Sequence, residues 1–431
     1  VLSTGINSGS YYLRVESDPT GGAYQLFFSR NGADPGELQV LGGPGLYIDN
    51  TSALTPQPVK ISNPLSGSYY DYEGEFSGNG GNGVEIHSKG LVTLTAVRAN
   101  GNYGSGIIVD TSSTSAMTMK QLIATGNWDD GLNIQTNGAV TVQQSEIGHN
   151  GGYGVHIVAP GKVSITASSS KNNVYMYYNA NGIWIESPGA ITLSYLGLYD
   201  TYGPYGIRLE NPDSLSNVTL TYVRGGGGTD TGILIHTRGT VLLTNCYWNA
   251  GSQGVSIDNR SLLKRPVTVN GLTLYWISNT GLEVLSSGTI TIKAISGSVQ
   301  GEGMRLDNRS GSAGVSLANG SLHGRGNGSG NGLTILTNGP IAVSGFSLSG
   351  FDGRGAELNN HDSTLLTPPS VVVSSSAFDD NTSNGLWVST RGAITLTSVS
   401  ANWNLDAGMY LRNQDGTANL TIQGSSNASV N

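Results

Sequence analysis

The chain has 431 residues and a formal net charge of −8, and its 21 Lys and Arg residues are scattered rather than clustered. This distribution gives no electrostatic footprint for nucleic acid or an anionic membrane, so neither partner is predicted. The single cysteine, Cys246, excludes an intrachain disulfide, and no apolar run is long enough for insertion into a membrane.

The composition favours an all-β protein that works outside the cell. There are 64 glycines and only 12% charged residues, while Val, Ile and Leu recur at alternate positions. Such alternation is typical of half-buried strands, and it argues against both a helical fold and disorder. The abundance of Gly, Asn, Ser and Thr with few lysines predicts an exported protein, either extracellular or on the cell surface.

Residues 1–44 differ from the rest of the chain. Two strand-like runs, residues 10–16 and 23–28, flank a turn sequence at residues 18–22. These runs resemble the closing hairpin of small bacterial β-sandwich domains. We expect the segment to be either an N-terminal β cap on the repeat that follows or the remnant of an upstream β-sandwich, and the cap is favoured.

A repeat occupies residues 45–431. Its clearest copy, residues 232–243, contains a glycine, an alternating β run, a tight turn closed by a second glycine, and another β run. The opening glycine of each turn of chain, or rung, recurs every 22 to 30 residues after Gly83. These rung glycines are Gly45, Gly83, Gly106, Gly131, Gly154, Gly182, Gly206, Gly232, Gly254, Gly281, Gly303, Gly332, Gly355, Gly385 and Gly408.

Two rung types alternate, so the true repeat is a pair of rungs of about 50 residues. In the first type a tight turn reads Ser or Thr, any residue, then Gly, and we expect that turn glycine to adopt a positive φ. In the second type Asn replaces Ser or Thr, and a longer loop commonly follows. Long loops should therefore emerge at every second rung along one edge of the stack.

This periodicity predicts an all-β fold, a single-stranded parallel β-solenoid of about 15 rungs stacked about 4.8 Å apart. The Asn and Thr or Ser positions should stack as an internal structural ladder, in which each side chain bonds its neighbours above and below. The predicted ladder residues are Asn50, Asn211, Asn259, Asn308, Asn360, Asn413, Thr136, Thr237, Thr337 and Thr390.

On this rung pattern, the chain resembles the right-handed parallel β-helix proteins, the superfamily of pectate lyases, polygalacturonases, phage tailspikes and bacterial surface adhesins. The resemblance covers residues 45–431 and implies a right-handed coil, but it says almost nothing about function. Enzymes of the superfamily use paired carboxylates or a Ca²⁺-binding acidic cluster. The hydrolase motifs Asn-Thr-Asp, Gly-His-Gly and Arg-Ile-Lys do not occur in this sequence.

One column of outward-facing residues could still carry chemistry. The second and fourth positions after a rung glycine face outward, because side chains alternate along a strand. On consecutive rungs these positions include Trp184, Glu186, Arg208, Glu210, His236 and Asp258. Carboxylates on adjacent rungs could lie about 5 Å apart and share a proton, bind Ca²⁺ or act as an acid and nucleophile pair, while Trp184 stacks on a sugar.

The alternative, which we favour, is a solvated outer face with no catalytic residue, no metal and no other cofactor. Arg208 then pairs with Glu186 or Glu210, and each such exposed pair contributes little to stability. Calcium also needs six to eight oxygen ligands, more than this column supplies by itself.

The preferred function is a non-enzymatic extracellular structural protein: a self-assembling subunit of a filament, sheath or surface layer, or the rod segment of an adhesin. The last predicted strand, residues 419–423, is followed by no cap, so we expect unpaired strand edges that join copies end to end, with lateral contacts through the long loops. One alternative is a polysaccharide lyase, glycoside hydrolase or carbohydrate-binding protein that uses the outward column. Another is a receptor-binding adhesin with exposed aromatics such as Trp387 and Tyr410.

Overall fold

The computed structural model describes residues 43–62, 75–167, 169, 174–326, 328, 330–414 and 416–429, together with the backbone of Arg14–Val15 and Tyr24–Leu26. The described residues form strands, turns and bends, and they include no helix that is long and apolar enough to cross a membrane. The chain divides into two compact units, Val1–Tyr202 and Gly203–Asn431.

Each unit contains strands of two parallel sheets, sheet A and sheet B. In the first unit the sheet A strands are Arg14–Val15, Leu46–Asp49, Val84–Ser88, Ile107–Thr111, Leu132–Thr136, Tyr153–Val158 and Asn181–Glu186. Its sheet B strands are Tyr24–Leu26, Val59–Ser62, Val92–Thr95, Met117–Lys120, Ile123–Thr125, Val140–Gln143, Glu146–Gly148, Val163–Thr166, Val174–Tyr177 and Ile191–Thr201.

The second unit is built in the same way. Its sheet A strands are Tyr205–Asn211, Thr231–Thr237, Gln253–Asp258, Thr280–Leu285, Glu302–Asn308, Leu333–Thr337, Ala356–Asn359, Leu386–Ser389 and Met409–Arg412. Its sheet B strands are Val218–Gly227, Val241–Asn249, Val267–Ile277, Ile290–Val299, Val315–Gly324, Ile341–Ser349, Val371–Ala377, Ile394–Ser400 and Leu420–Gln423.

Parallel pairing in register places apolar residues on apolar residues. In sheet A of the second unit Ile207 pairs with Ile233, and Ile233 pairs with Val255. All three side chains are fully buried. Burying one aliphatic side chain contributes about 1.5–3 kcal/mol, so stacks of this kind supply the main driving force of the fold. The predicted all-β parallel solenoid is confirmed.

The rung glycines are required because successive turns approach each other closely. Each of them directly precedes a sheet A strand or is the second residue of one. A Cβ atom added to Gly281 would lie 2.5 Å from the carbonyl oxygen of Gly303, and one added to Gly303 would lie 2.3 Å from that of Gly332. No side chain tolerates such a contact, so only glycine fits this column.

The turn glycines are also explained by close approach, and the predicted positive φ is wrong. Gly239 and Gly288 are absent from the left-handed region. A Cβ atom on Gly239 would lie 2.0 Å from the carbonyl oxygen of Ser216, and one on Gly288 would lie 2.1 Å from that of Arg265. The carbonyl group of the preceding rung thus fills the space that a side chain would need.

Positive φ angles lie instead at the bends of sheet B. In the second unit the fifth residue of eight consecutive sheet B strands adopts this conformation. These residues are Tyr222, Asn245, Gly271, Ala294, Asn319, Gly345, Ser375 and Ser398. The column mixes Gly and Asn, which tolerate this conformation, with Tyr, Ala and Ser, which do not prefer it.

Most of the predicted N-terminal segment, residues 1–44, lies outside the described residues. Besides residues 43–44, the structure describes the backbone of two strands in this segment. Arg14–Val15 pairs in parallel with Tyr47 and Ile48 of sheet A, and Tyr24–Leu26 pairs in parallel with Val59–Ser62 of sheet B. These two strands therefore belong to the same two sheets as the repeat.

Candidate functional site

The predicted outward column is partly assembled in the second unit. Strand register places Glu210 beside His236 and His236 beside Asp258. Glu210 accepts a hydrogen bond from Arg208 Nε at 2.9 Å, and its other oxygen lies 3.1 Å from His236 Nδ1. The carboxylate is therefore held between two basic side chains and is not directed at an open position.

Asp258 does not join this cluster through a hydrogen bond. It accepts bonds from Arg260 Nε at 2.9 Å and from Arg260 Nη2 at 2.6 Å. Burial favours the neutral form of Asp258, but the hydrogen bonds and charge of Arg260 outweigh that effect and lower the pKa of the carboxyl group. Asp258 is consequently an ionised partner of Arg260, unsuited to act as a general acid.

Trp184 and Glu186 belong to the first unit, whereas the other four column residues belong to the second. The Trp184 ring stacks on His156, with 4.5 Å between ring centroids and 15° between planes, and Tyr153 lies 5.3 Å away. Trp184 is therefore half-buried in an aromatic cluster. Burial lowers the pKa of His156, although the charges of Asp130 and Glu186 act against it.

Other carboxylates on the outer faces of the two units are also engaged. Glu283 lies 3.9 Å from Arg305, and Asp307 and Glu357 are paired with Arg309 and Arg354 respectively. In the first unit Glu85 lies 2.9 Å from His87. Within the ranges that the structure describes, no group of three or more His, Cys, Asp or Glu side chains could hold a metal ion.

The predicted ladder residues share one corner of the coil. Asn211 pairs with Thr237, and Asn308 pairs with Thr337, in the strand register. All of the ladder residues are buried except Asn413, which is half-buried. The corner therefore carries a series of small polar side chains in each unit, which Ala159 interrupts in the first unit.

The bonds of this ladder run to the main chain. The hydroxyl oxygens of Thr136, Thr237, Thr337 and Thr390 each accept the N–H of the turn glycine two residues later, at 2.9 to 3.1 Å. Asn259 Nδ2 donates to the carbonyl oxygens of Gly239 and Arg265. These side chains thus link the main chain of turns and loops. The sequence-based prediction was different, since it required each ladder side chain to bond the ladder side chains above and below it.

A true amide ladder lies at a different corner, in the first unit. Asn102, Asn127, Asn150 and Asn179 are buried, and each Nδ2 donates to the Oδ1 of the next asparagine at 2.8 to 2.9 Å. The first three of these residues stand four positions before a rung glycine. That spacing was the available signal, but the abundance of Asn in the sequence masked it.

Exposed aromatic side chains surround the amide ladder, and they were not predicted. We call Tyr103, Trp128, His149, Tyr178 and Tyr202 the aromatic corner. Tyr103 stacks on Trp128 with 4.8 Å between ring centroids, and Tyr178 stacks on His149 at 5.0 Å and on Tyr202 at 6.4 Å. Trp128 is 70% exposed, so the corner presents aromatic surface to solvent.

The two aromatics proposed for an adhesin lie side by side. Trp387 and Tyr410 occupy adjacent sheet A strands, and their rings are parallel within 2° at a centroid distance of 6.4 Å. Arg354 covers the other ring face of the pair, 4.9 Å from the Trp387 centroid. Trp387 is thus half-buried, and Tyr410 is the more exposed of the two.

Comparison with known proteins supports the fold and does not name an activity. The family model for the right-handed β-helix region matches residues 37–195, which lie within the first unit. No curated protein and no solved structure matches the chain. The second unit has the same two parallel sheets and the same column of rung glycines. The chain is therefore a parallel β-helix repeat protein, in which residues 37–195 match the right-handed β-helix model.

Proposed function

We propose that this protein is a non-enzymatic structural protein of the extracellular space or cell surface, whose copies associate laterally in a filament, sheath or surface layer. The observation that carries the proposal is a series of exposed leucines on the long loops. These loops follow the corner asparagines, at every second rung.

Several leucines on these loops are largely or fully exposed to solvent. In the second unit Leu262 and Leu366 are fully exposed, and Leu263 beside Leu262 is 58% exposed. In the first unit Leu54, on the loop after Asn50, is 82% exposed. A single exposed leucine carries no information, but exposed leucines on several loops of one type are typical of a surface that is covered in an assembly.

The state of the carboxylates supports a structural role over a catalytic one. Glycoside hydrolysis needs two carboxyl groups that face one substrate position, one of them with a raised pKa. In the second unit Glu210 and Asp258 are instead each bound by an arginine. A polysaccharide lyase or hydrolase built on the predicted column therefore has little support.

The proposal is tested with a triple variant, Leu262→Ser, Leu263→Ser and Leu366→Ser. Sedimentation velocity over a range of concentrations should show association of the wild type and single copies of the variant. Loss of burial of three leucines, each contributing about 1.5–3 kcal/mol to an interface, is enough to abolish association. At concentrations where the wild type is also a single copy, the unfolding midpoint should not change, because these side chains contact solvent in the single chain.

Leu405→Ser is the matched control, since Leu405 is 76% exposed but lies on a different loop. This variant should associate as the wild type does. A wild type that remains a single copy at every concentration, or a triple variant that associates as strongly as the wild type, would contradict lateral assembly through these loops.

A second candidate function is binding of a neutral saccharide at the aromatic corner. The main chain links Trp128, Gly151, Ala180 and Tyr202 to successive rungs of the amide ladder. The His149 and Tyr178 rings lie on the two intervening rungs, so a row of exposed rings extends over three rungs, or about 14 Å. A row of exposed rings is suited to stack on the apolar faces of sugar rings.

Affinity electrophoresis through gels containing neutral polysaccharides tests this candidate. Trp128→Ala should abolish the retardation, whereas Trp403→Ala, which removes an exposed tryptophan from the second unit, should leave it unchanged. Equal mobility of all three proteins in every gel would exclude the aromatic corner as a saccharide site.

A further inference from the structure

A tetrapeptide, Asp-Asn-Arg-Ser, occurs twice in the second unit. It spans residues 258–261 and again residues 307–310, one two-rung repeat later. In each copy the asparagine is the buried corner residue, and the arginine is the first residue of the loop that follows. We call Arg260 and Arg309 the arginine pair.

Each member of the arginine pair is fixed by its own aspartate in the same geometry. Asp258 accepts bonds from Arg260 Nε, Arg260 Nη2 and the Arg260 backbone N–H at 2.9, 2.6 and 3.1 Å. Asp307 accepts the same three bonds from Arg309 at 3.1, 2.6 and 3.1 Å. Among the described residues, no side chain or carbonyl group accepts a bond from Nη1 of either arginine, so those donors remain available.

The arginine pair lines a cavity of about 410 Å³ whose other lining residues are Leu285, Asp307 and Ser310. Strand register places Leu285 between Asp258 and Asp307. The two arginines therefore follow strands that are two rungs apart, or about 9.6 Å. Leu285 gives the cavity an apolar wall between two fixed guanidinium groups.

A small residue on the intervening rung leaves this space open. The middle position of the tight turn carries Arg238, Asn338 or Arg391 on the other rungs of this type in the second unit, but Ser287 here. Ser287 Oγ lies 3.0 Å from Ser310 Oγ and accepts the backbone N–H of Ser261. Its short side chain is thus held by hydrogen bonds to both loops.

We propose that the arginine pair binds one oxyanion, a phosphate, sulfate or carboxylate group, in this cavity. Guanidinium groups form short, charge-assisted and often bidentate bonds to such anions. With N–H···O bonds of about 2.8 Å on both sides, one anion bridges guanidinium groups roughly 8–10 Å apart. The aspartates hold the arginines in place before the anion arrives, which lowers the entropic cost of binding.

The charges around the cavity determine how strongly it should bind an anion. Asp258 and Asp307 already balance the two arginines, and Glu283 and Asp362 lie close enough to act on Arg260 and Arg309. Binding should therefore be weak, in the millimolar range, and should weaken further as salt screens the charges.

Two titrations with the whole chain test the site, one with inorganic phosphate and one with succinate, each against sodium chloride at equal ionic strength. Nitrogen-15 spectra of the arginine Nε–H groups provide the readout. Arg260→Ala and Arg309→Ala should each weaken binding at least tenfold, while Arg412→Ala, which removes an arginine bonded to Gln414 elsewhere in the unit, should not. Shifts with phosphate alone assign a tetrahedral anion, and shifts with succinate alone assign a carboxylate.

Leu285→Glu provides a test that keeps both arginines. Its carboxylate would occupy the space between the guanidinium groups and should abolish the response to both anions, with an unchanged unfolding midpoint. The proposal is overturned if neither anion shifts the arginine resonances beyond the effect of chloride, or if Arg260→Ala and Arg309→Ala bind as the wild type does.

Discussion

Individual residues at the bends of sheet B carry conformational strain that the stack imposes. Ala294 has φ of 52° and stands in a column with Gly271 and Asn319, which suit that conformation better. An L-residue with a Cβ atom is less stable in the left-handed region by about 1–2 kcal/mol. The bend is fixed by the strands above and below, so Ala294 cannot relax.

Replacing Ala294 by glycine should raise the free energy of unfolding by about 1 kcal/mol, because it removes this strain and no buried contact. Ala342→Gly is the matched control: Ala342 is also exposed, but it lies in a strand outside the left-handed region. That change should lower the free energy of unfolding by about 0.5–1 kcal/mol. Denaturant unfolding curves measure the free energy of unfolding of both variants. An equal decrease in the two variants would show that the bend imposes no strain on Ala294.

A second residue-scale effect concerns pH. Burial tends to lower the pKa of His87, but the hydrogen bond to Glu85 and the charges of Glu85 and Asp110 outweigh it, so the pKa lies above 6.5. Because the pKa is higher in the folded state, His87 contributes stability below about pH 6.5. That contribution is lost as the pH rises through the folded-state pKa.

The wild type should therefore exceed His87→Gln in stability by more at about pH 5.5 than at about pH 8.5, with a difference below about 1 kcal/mol because the pair is partly exposed. Proton NMR titration of the imidazole gives the pKa directly. Glu85→Gln should lower it. A wild-type pKa at or below the value for an unstructured peptide would contradict the ion pair.

At the scale of the strand and the rung, the glycine column and the core side chains constrain each other. Trp248 is fully buried, and a Cβ atom on Gly232 would lie 2.1 Å from its Nε1 atom. For Gly281 the nearest obstacle is the carbonyl oxygen of Gly303. One rung glycine thus makes room for a side chain, and another makes room for the backbone.

Gly232→Ala and Gly281→Ala should each destabilise the protein by about 1–3 kcal/mol through overpacking. In a Trp248→Leu background the Gly232→Ala cost should fall by about 1 kcal/mol, because the indole ring no longer occupies the space. The Gly281→Ala cost should stay the same, since its obstacle is main chain. Equal costs of Gly232→Ala in both backgrounds would contradict the contact with Trp248.

The amide ladder makes the first unit depend on buried hydrogen bonds. Asn127 accepts from the backbone and side chain of Asn102, and it donates to Asn150 Oδ1 and to the carbonyl oxygen of Ala99. In the second unit, the corresponding position four residues before a rung glycine carries apolar residues such as Ile277, Val299 and Phe351, and then Asn381 and Asn404, whose side-chain amides are again bonded to each other at 3.1 Å. The same corner is thus stabilised by hydrogen bonds along the amide ladder of the first unit, and by apolar packing and a second amide pair in the second unit.

Asn127→Leu should lower the free energy of unfolding by about 3 kcal/mol or more, because it leaves several buried polar groups without partners. Asn137→Ala, at an exposed turn position, should change it by less than about 0.5 kcal/mol. Chemical denaturation monitored by circular dichroism measures both. A small effect of Asn127→Leu would mean that water replaces the lost partners.

At the scale of the whole molecule, features that recur in every rung could be predicted from the sequence, and features confined to a few rungs could not. The rung glycines and the Asn, Ser or Thr residues of the predicted ladder recur along the repeat, so their spacing was enough to predict a parallel β-solenoid. The amide ladder and the aromatic corner occupy only some rungs, and the arginine pair depends on a small residue, Ser287, between two copies of a motif. The predicted ladder residues bond main-chain groups, and the positions of main-chain groups cannot be read from the amino-acid composition.

The central claim is that copies of this protein associate side by side through the leucine-bearing loops. Cryo-electron microscopy of the purified chain at high concentration tests it most directly. We predict laterally associated copies in which density for Leu262 and Leu366 contacts a neighbouring chain. Dispersed single copies, or assemblies in which both leucines face solvent, would contradict the claim.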